Sequence, residues 1–128
     1  MCIRDRKYFL SEYNSYLGGD VPSEVPWIEH VLPQSPVDEW YESFTKEQVT
    51  KYKHVLGNLL PLSEKMNQEL SNKVYAEKKI KFAEDSMFKS ARSFAEKYSD
   101  WTPEKIEERG KVFAAWAVQR WVGPALSK

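Results

Sequence analysis

The chain has 128 residues, enough for one domain with a modest core, and 19 basic against 19 acidic side chains leave no net charge, which argues against a globally basic nucleic-acid binder. A hydrophobic fraction of 41% with 14% aromatics excludes a disordered chain, and the single Cys2 excludes a disulfide framework or a cysteine-based zinc site. No stretch reads as a signal peptide or a membrane span, so the expected location is the cytoplasm.

Met1–Arg6 is assigned no role. Tyr8, Phe9, Leu10, Tyr13, Tyr16 and Leu17 recur at helical spacing, which predicts a helix over 5–17 stopped by Gly18-Gly19. A loop with Pro22 and Pro26 then delivers a first strand, for which Trp27, Ile28, Val31 and Leu32 are suited and which Pro33 closes. In extended chain Glu29 and His30 point to opposite faces, so they cannot share one task. An insertion over 34–56 follows, with a short amphipathic turn or helix at Val37, Trp40, Tyr41 and Phe44. Thr45 caps a second helix expected over Lys46–Val55, and His54 is explained by its place at that helix's C-terminus, where a cation is favoured. Gly57-Asn58 reads as a turn into a second strand, Leu59–Leu62. Ser63 caps a helix from near Glu64 that carries Asn67 about one turn in. Strand, strand and helix each then carry a polar residue, as a ββα-metal site requires.

Ser71-Asn72 forms a loop before helices expected over about 73–82 and 86–98. Thr102-Pro103-Glu104 combines a cap, a proline at the first position and an acid in the first turn. Ile106, Phe113, Trp116, Ala117, Arg120 and Trp121 line one side of the long helix that follows, and Gly123-Pro124 ends it. Charge is uneven along the chain. Residues 19–48 carry seven acids against Lys46, whereas residues 73–97 carry seven bases against four acids. Phosphate contact is expected from the second stretch, although a solvated helical face accounts for the same lysines. The tryptophans are placed in the core.

Glu29-His30-Val31-Leu32-Pro33-Gln34, then Leu56-Gly57-Asn58-Leu59, then Asn67, Ser71-Asn72-Lys73 and Lys78, together resemble an HNH nuclease of the His-Me finger class. The pattern is most similar to the C-terminal domain of GmrSD-type modification-dependent restriction endonucleases, and a weaker likeness extends from about Tyr8 to Trp121. The HNH domain of RNA-guided CRISPR nucleases has a similar acid-His-x-x-Pro-Gln run followed by two spaced asparagines. HNH proteins with structural zinc are excluded as models by the lone cysteine.

The resemblance implies an α+β fold, mostly α, with a ββα-metal core over about 27–72 between helices at about 5–17 and 73–122. It implies one domain over 1–128, itself the C-terminal part of a larger protein. His30 would be the general base and Asn58 a brace for the site. Glu29 and Asn67 would hold one divalent metal ion, Mg²⁺ or else Mn²⁺, and Lys73 and Lys78 would contact substrate phosphate. Gln34 is open between substrate contact and turn chemistry. The substrate would be DNA and the reaction phosphodiester hydrolysis in phage defence. The partner would be an upstream ParB-like NTP-using domain, and no membrane is involved. Two other readings stay open: a non-catalytic helical interaction domain that keeps the fold, and a nuclease acting on RNA.

Overall fold

The structure, a computed structural model, describes residues 1–122 and is α+β, mostly helical. Helix α1 (Ile3–Tyr16) precedes strand β1 (Trp27–His30), a 3₁₀ turn (Asp38–Glu42), α2 (Lys46–Tyr52) and a second 3₁₀ turn (Leu56–Asn58). Strand β2 (Leu59–Leu62), α3 (Glu64–Leu70), α4 (Tyr75–Asp85), α5 (Lys89–Lys97) and α6 (Pro103–Ala117) follow, and a wide turn (Val118–Val122) ends the described chain. Gly123-Pro124, expected to end the last helix, lies outside the described residues.

β1 and β2 pair antiparallel, with Glu29 opposite Leu60 and His30 opposite Leu59. The ββα order read from the sequence is therefore present, with α3 packed on β1. Local signals set most of the helix starts. Thr45 and Gln48 form a reciprocal capping box on α2, Ser63 caps α3, and Thr102 with Pro103 opens α6. Gly18, at φ +89°, takes the left-handed turn beyond α1. The main core is built around Phe44, Leu60, Leu62, Phe82, Phe94 and Trp101, all at most 3% exposed. A second cluster packs Phe9 and Leu10 of α1 against Leu59, Phe113 and Trp116.

Several boundaries differ from the sequence reading, each for a physical reason. α1 begins at Ile3, so residues given no role are helical. β1 stops at His30, because the backbone of Leu32 pairs with the side chain of Asn58 and not with a strand. α2 stops at Tyr52, since the Lys53 carbonyl, which a longer helix would give to the Gly57 amide, instead accepts from Asn58 Nδ2 at 3.0 Å. α5 begins only at Lys89, because Ser86 Oγ accepts from the Phe88 amide and the Ser86 carbonyl from Arg92. Arg120 and Trp121 fall in the turn beyond α6 and are exposed, although the Trp121 ring packs against those of Trp116 and Phe9, at 5.3 and 5.8 Å between centroids. No helix among the described residues is long and apolar enough to cross a membrane.

Candidate active site

Strand alternation turns Glu29 inward, to 2% exposure, and leaves His30 half-buried on the other face. A buried carboxylate needs partners, and two helices supply them. Lys78 of α4, with no exposed surface, brings Nζ to 2.9 Å from Glu29 Oε2. Asn67 of α3 donates from Nδ2 to Glu29 Oε1 at 2.9 Å and to the Ile28 carbonyl at 3.2 Å. Burial pushes the Glu29 carboxyl up, and Lys78 and Asn67 only partly offset it. Burial likewise pushes the Lys78 ammonium down against the pull of Glu29.

The expectation that Lys78 meets substrate phosphate is corrected by this geometry. Its ammonium also donates to the carbonyls of His30 at 2.9 Å and Val31 at 3.1 Å, so Glu29 and two carbonyls occupy its three protons. Lys78 holds the end of β1 in place. Lys73 is exposed, next in the chain to Ser71 and Asn72, which line the cleft described below.

Asn58 is fully buried, and both ends of its amide are hydrogen-bonded. Its Oδ1 accepts from the Leu32 amide at 2.8 Å and from Trp101 Nε1 at 2.9 Å. Its Nδ2 donates to the carbonyls of Leu32 and Lys53, both at 3.0 Å. The chain just after His30 is thereby tied to the start of β2. Arg109 of α6 tightens the same region by donating to the carbonyls of Gly57 at 3.0 Å and Leu59 at 2.7 Å, on either side of Asn58. Gly57 passes so close to α6 that a Cβ there would lie 2.4 Å from the Ile106 carbonyl oxygen.

Sequence reasoning kept His54 out of the site, and the structure puts it there. α2 ends before His54, whose Nδ1 lies 3.2 Å from His30 Nε2. One ring donates and the other accepts, so the tautomers of His30 and His54 are coupled. His30 Nδ1 makes no hydrogen bond among the described residues. The only sequence sign was the four-residue spacing from His54 to Asn58, which the helix-end explanation had absorbed. Burial, helped by the positive fields of His54, Lys78, Arg6 and Lys53, pushes the His30 imidazole down to about 4. It is therefore neutral at pH 7, the form that accepts a proton.

His30 stands between two clefts. The first, of about 280 Å³, is polar and lined by Glu29, His30, Asn67, Ser35, Ser71 and Asn72 among others. Gln34 borders both. Among the described residues no group of three or more His, Cys, Asp or Glu could hold a metal ion. Facing the first cleft are one carboxylate, Glu29, and three amides, Gln34, Asn67 and Asn72, of which Asn67 touches Glu29. Those are hard oxygen donors of the kind Mg²⁺ accepts when water completes its shell. Burial holds the carboxyl above its ordinary range even with Lys78 beside it. The donors thus fit a divalent ion, with Asn67 turned to offer its oxygen in place of its nitrogen.

Compared with known families, residues 3–116 match the one described as GmrSD restriction endonucleases, C-terminal domain. No curated protein and no solved structure matches the chain.

Proposed function

The chain belongs to the family of GmrSD restriction endonuclease C-terminal domains, and from that membership we propose that it is an HNH-type nuclease that hydrolyses DNA phosphodiester bonds with the help of one divalent ion, Mg²⁺ before Mn²⁺. The observation that carries this reading is the meeting of three groups at one cleft. Glu29 and His30 arrive from β1 and Asn67 from α3, 38 residues further on.

Neutral His30, in the tautomer whose Nε2–H donates to His54 Nδ1, takes a proton from water at Nδ1. The water oxygen bonds to phosphorus as the bond to the 3′ oxygen breaks, and solvent protonates the departing oxygen. Glu29 and Asn67 would hold the ion, which would screen the phosphate charge and stabilise the departing oxygen. A phosphate anion beside His30 also opposes the positive fields that weaken it as a base. Asn58 and Lys78 fix the backbone at His30 and over the two residues after it, which holds the imidazole at the cleft. Lys73, exposed at the cleft edge, is the remaining phosphate contact from α4's approach.

By the same resemblance this is the cutting module of a modification-dependent, phage-defence enzyme of the cytoplasm, commanded by an upstream ParB-like NTP-using module. One observation favours a second reading. Lys78 already neutralises Glu29, as in a domain that keeps the fold and binds nucleic acid without cutting it. Plasmid nicking separates the two. The first reading expects Mg²⁺-dependent nicking that EDTA abolishes and that His30→Ala lowers by about 10²–10⁴-fold. Nicking equal in wild type and variant sinks it, and DNA binding without nicking in Mg²⁺ or Mn²⁺ leaves the second.

A further inference from the structure

A second cleft, of about 360 Å³, lies on the other side of His30 and shares only Ile28, His30 and Gln34 with the first. Its size is within the roughly 300–1,000 Å³ of small-molecule sites. Its walls differ in kind from those of the first. Arg6 and Lys7 of α1, with His54, supply its polar side, and no carboxylate lines it. Arg6 and Lys7 are half-buried, so their stems rest in the cleft, and among the described residues neither forms an ion pair. Trp27, 39% exposed, and Ile3, 63% exposed, supply an apolar side.

We propose that this second cleft holds the stretch of DNA strand next to the cut phosphate, with phosphate oxygens on Arg6 and Lys7 and a base against Trp27. The proposal rests on the nuclease reading above for its choice of ligand. Three observations carry it. A cationic wall without acids is complementary to a polyanion and to little else of biological abundance. An exposed tryptophan beside that wall offers the flat face on which bases stack. The two clefts also adjoin, with Ile28, His30 and Gln34 as common walls, so a strand whose cleaved phosphate sits at His30 has the second cleft next to it. A strand placed there engages the N-terminal helix as well as Lys73 beside the first cleft.

The test is binding of the full chain to a fluorescein-labelled duplex and to its single strand, followed by anisotropy across a salt series in EDTA. Arg6→Gln with Lys7→Gln should weaken duplex binding and reduce the slope of log affinity against log salt by about 1.8, the loss of two phosphate contacts. Trp27→Ala should weaken binding of the single strand about 5- to 150-fold with the slope unchanged. Lys89→Gln with Lys111→Gln, both exposed on other helices, should leave the slope as it is. Circular dichroism checks that each variant is folded. An Arg6/Lys7 variant with the wild-type slope, or one matched by the Lys89/Lys111 control, overturns the site, and unchanged single-strand affinity in Trp27→Ala overturns the base contact. The nicking assay keeps the two ideas apart. If His30→Ala abolishes nicking while the Arg6/Lys7 variant binds like wild type, the nuclease stands and this cleft falls. If wild type neither binds nor nicks DNA, both fall.

Discussion

Lys78 and Arg109 are both buried and both donate to two backbone carbonyls, yet among the described residues only Lys78 has a carboxylate beside it. Arg109 instead lies over the faces of Phe94 and Phe113, at 4.9 and 4.4 Å from the ring centroids, where cation–π attraction replaces a counter-ion. Burial pushes its guanidinium down to about 10, still charged at neutral pH. The two cations hold the two strands of one site. Lys78 clamps the end of β1 and Arg109 the turn into β2. For Arg109 aromatic rings suffice. Lys78 lines neither cleft itself, but it is paired with an acid that lines the first.

Removing each cation should break that symmetry. Lys78→Met leaves Glu29 buried and charged without its ammonium, and is expected to cost about 3–5 kcal/mol in urea unfolding. Adding Glu29→Gln should recover most of that loss, because the stranded anion is gone. If the double variant is no more stable than the single one, the carbonyl contacts and not the ion pair dominate. Arg109→Met strands no anion and leaves two carbonyls without a donor, so about 1–3 kcal/mol is expected. A loss larger than that of Lys78→Met would invert the comparison.

The smallest effect reaches from Lys78 into His30. Lys78 is among the charges that depress the imidazole, and Arg109 is not. With the folded value near 4 and an unfolded value near 6.5, the unfolded chain binds more protons between them. In EDTA, stability should therefore hold above about pH 6.5 and fall as pH drops toward 4. His30→Ala should remove that part of the slope, which parallel unfolding titrations would detect. Identical acid limbs in both proteins would mean that the imidazole is not held neutral.

What could be read from the chain beforehand followed the range of the interactions. The caps at Thr45, Ser63 and Thr102 act over three residues, so their helices were legible at the start. The strand pair was legible, and alternation put Glu29 and His30 on opposite faces but did not say which of them turns inward. Lys78 was misplaced because its partners lie 47–49 positions away, and a lysine in a basic helix ordinarily faces solvent. Arg109 escaped notice for the same reason, since its two acceptors lie 50 and 52 positions back. His54 was explained away by a helix that the Asn58 side chain cuts short. The misread histidine thus goes back to that brace: a side-chain amide that replaces backbone bonds leaves no periodic trace.

That amide has a chemical consequence. All four of its valences are used, two lone pairs by N–H donors and two protons by carbonyls. Hydrolytic loss of ammonia, the ordinary ageing of asparagine, would convert residue 58 to an acid of the same shape and set oxygen against oxygen at Leu32 and Lys53. A protein stored long enough to deamidate at that one position would keep its helices and lose the alignment of its histidine.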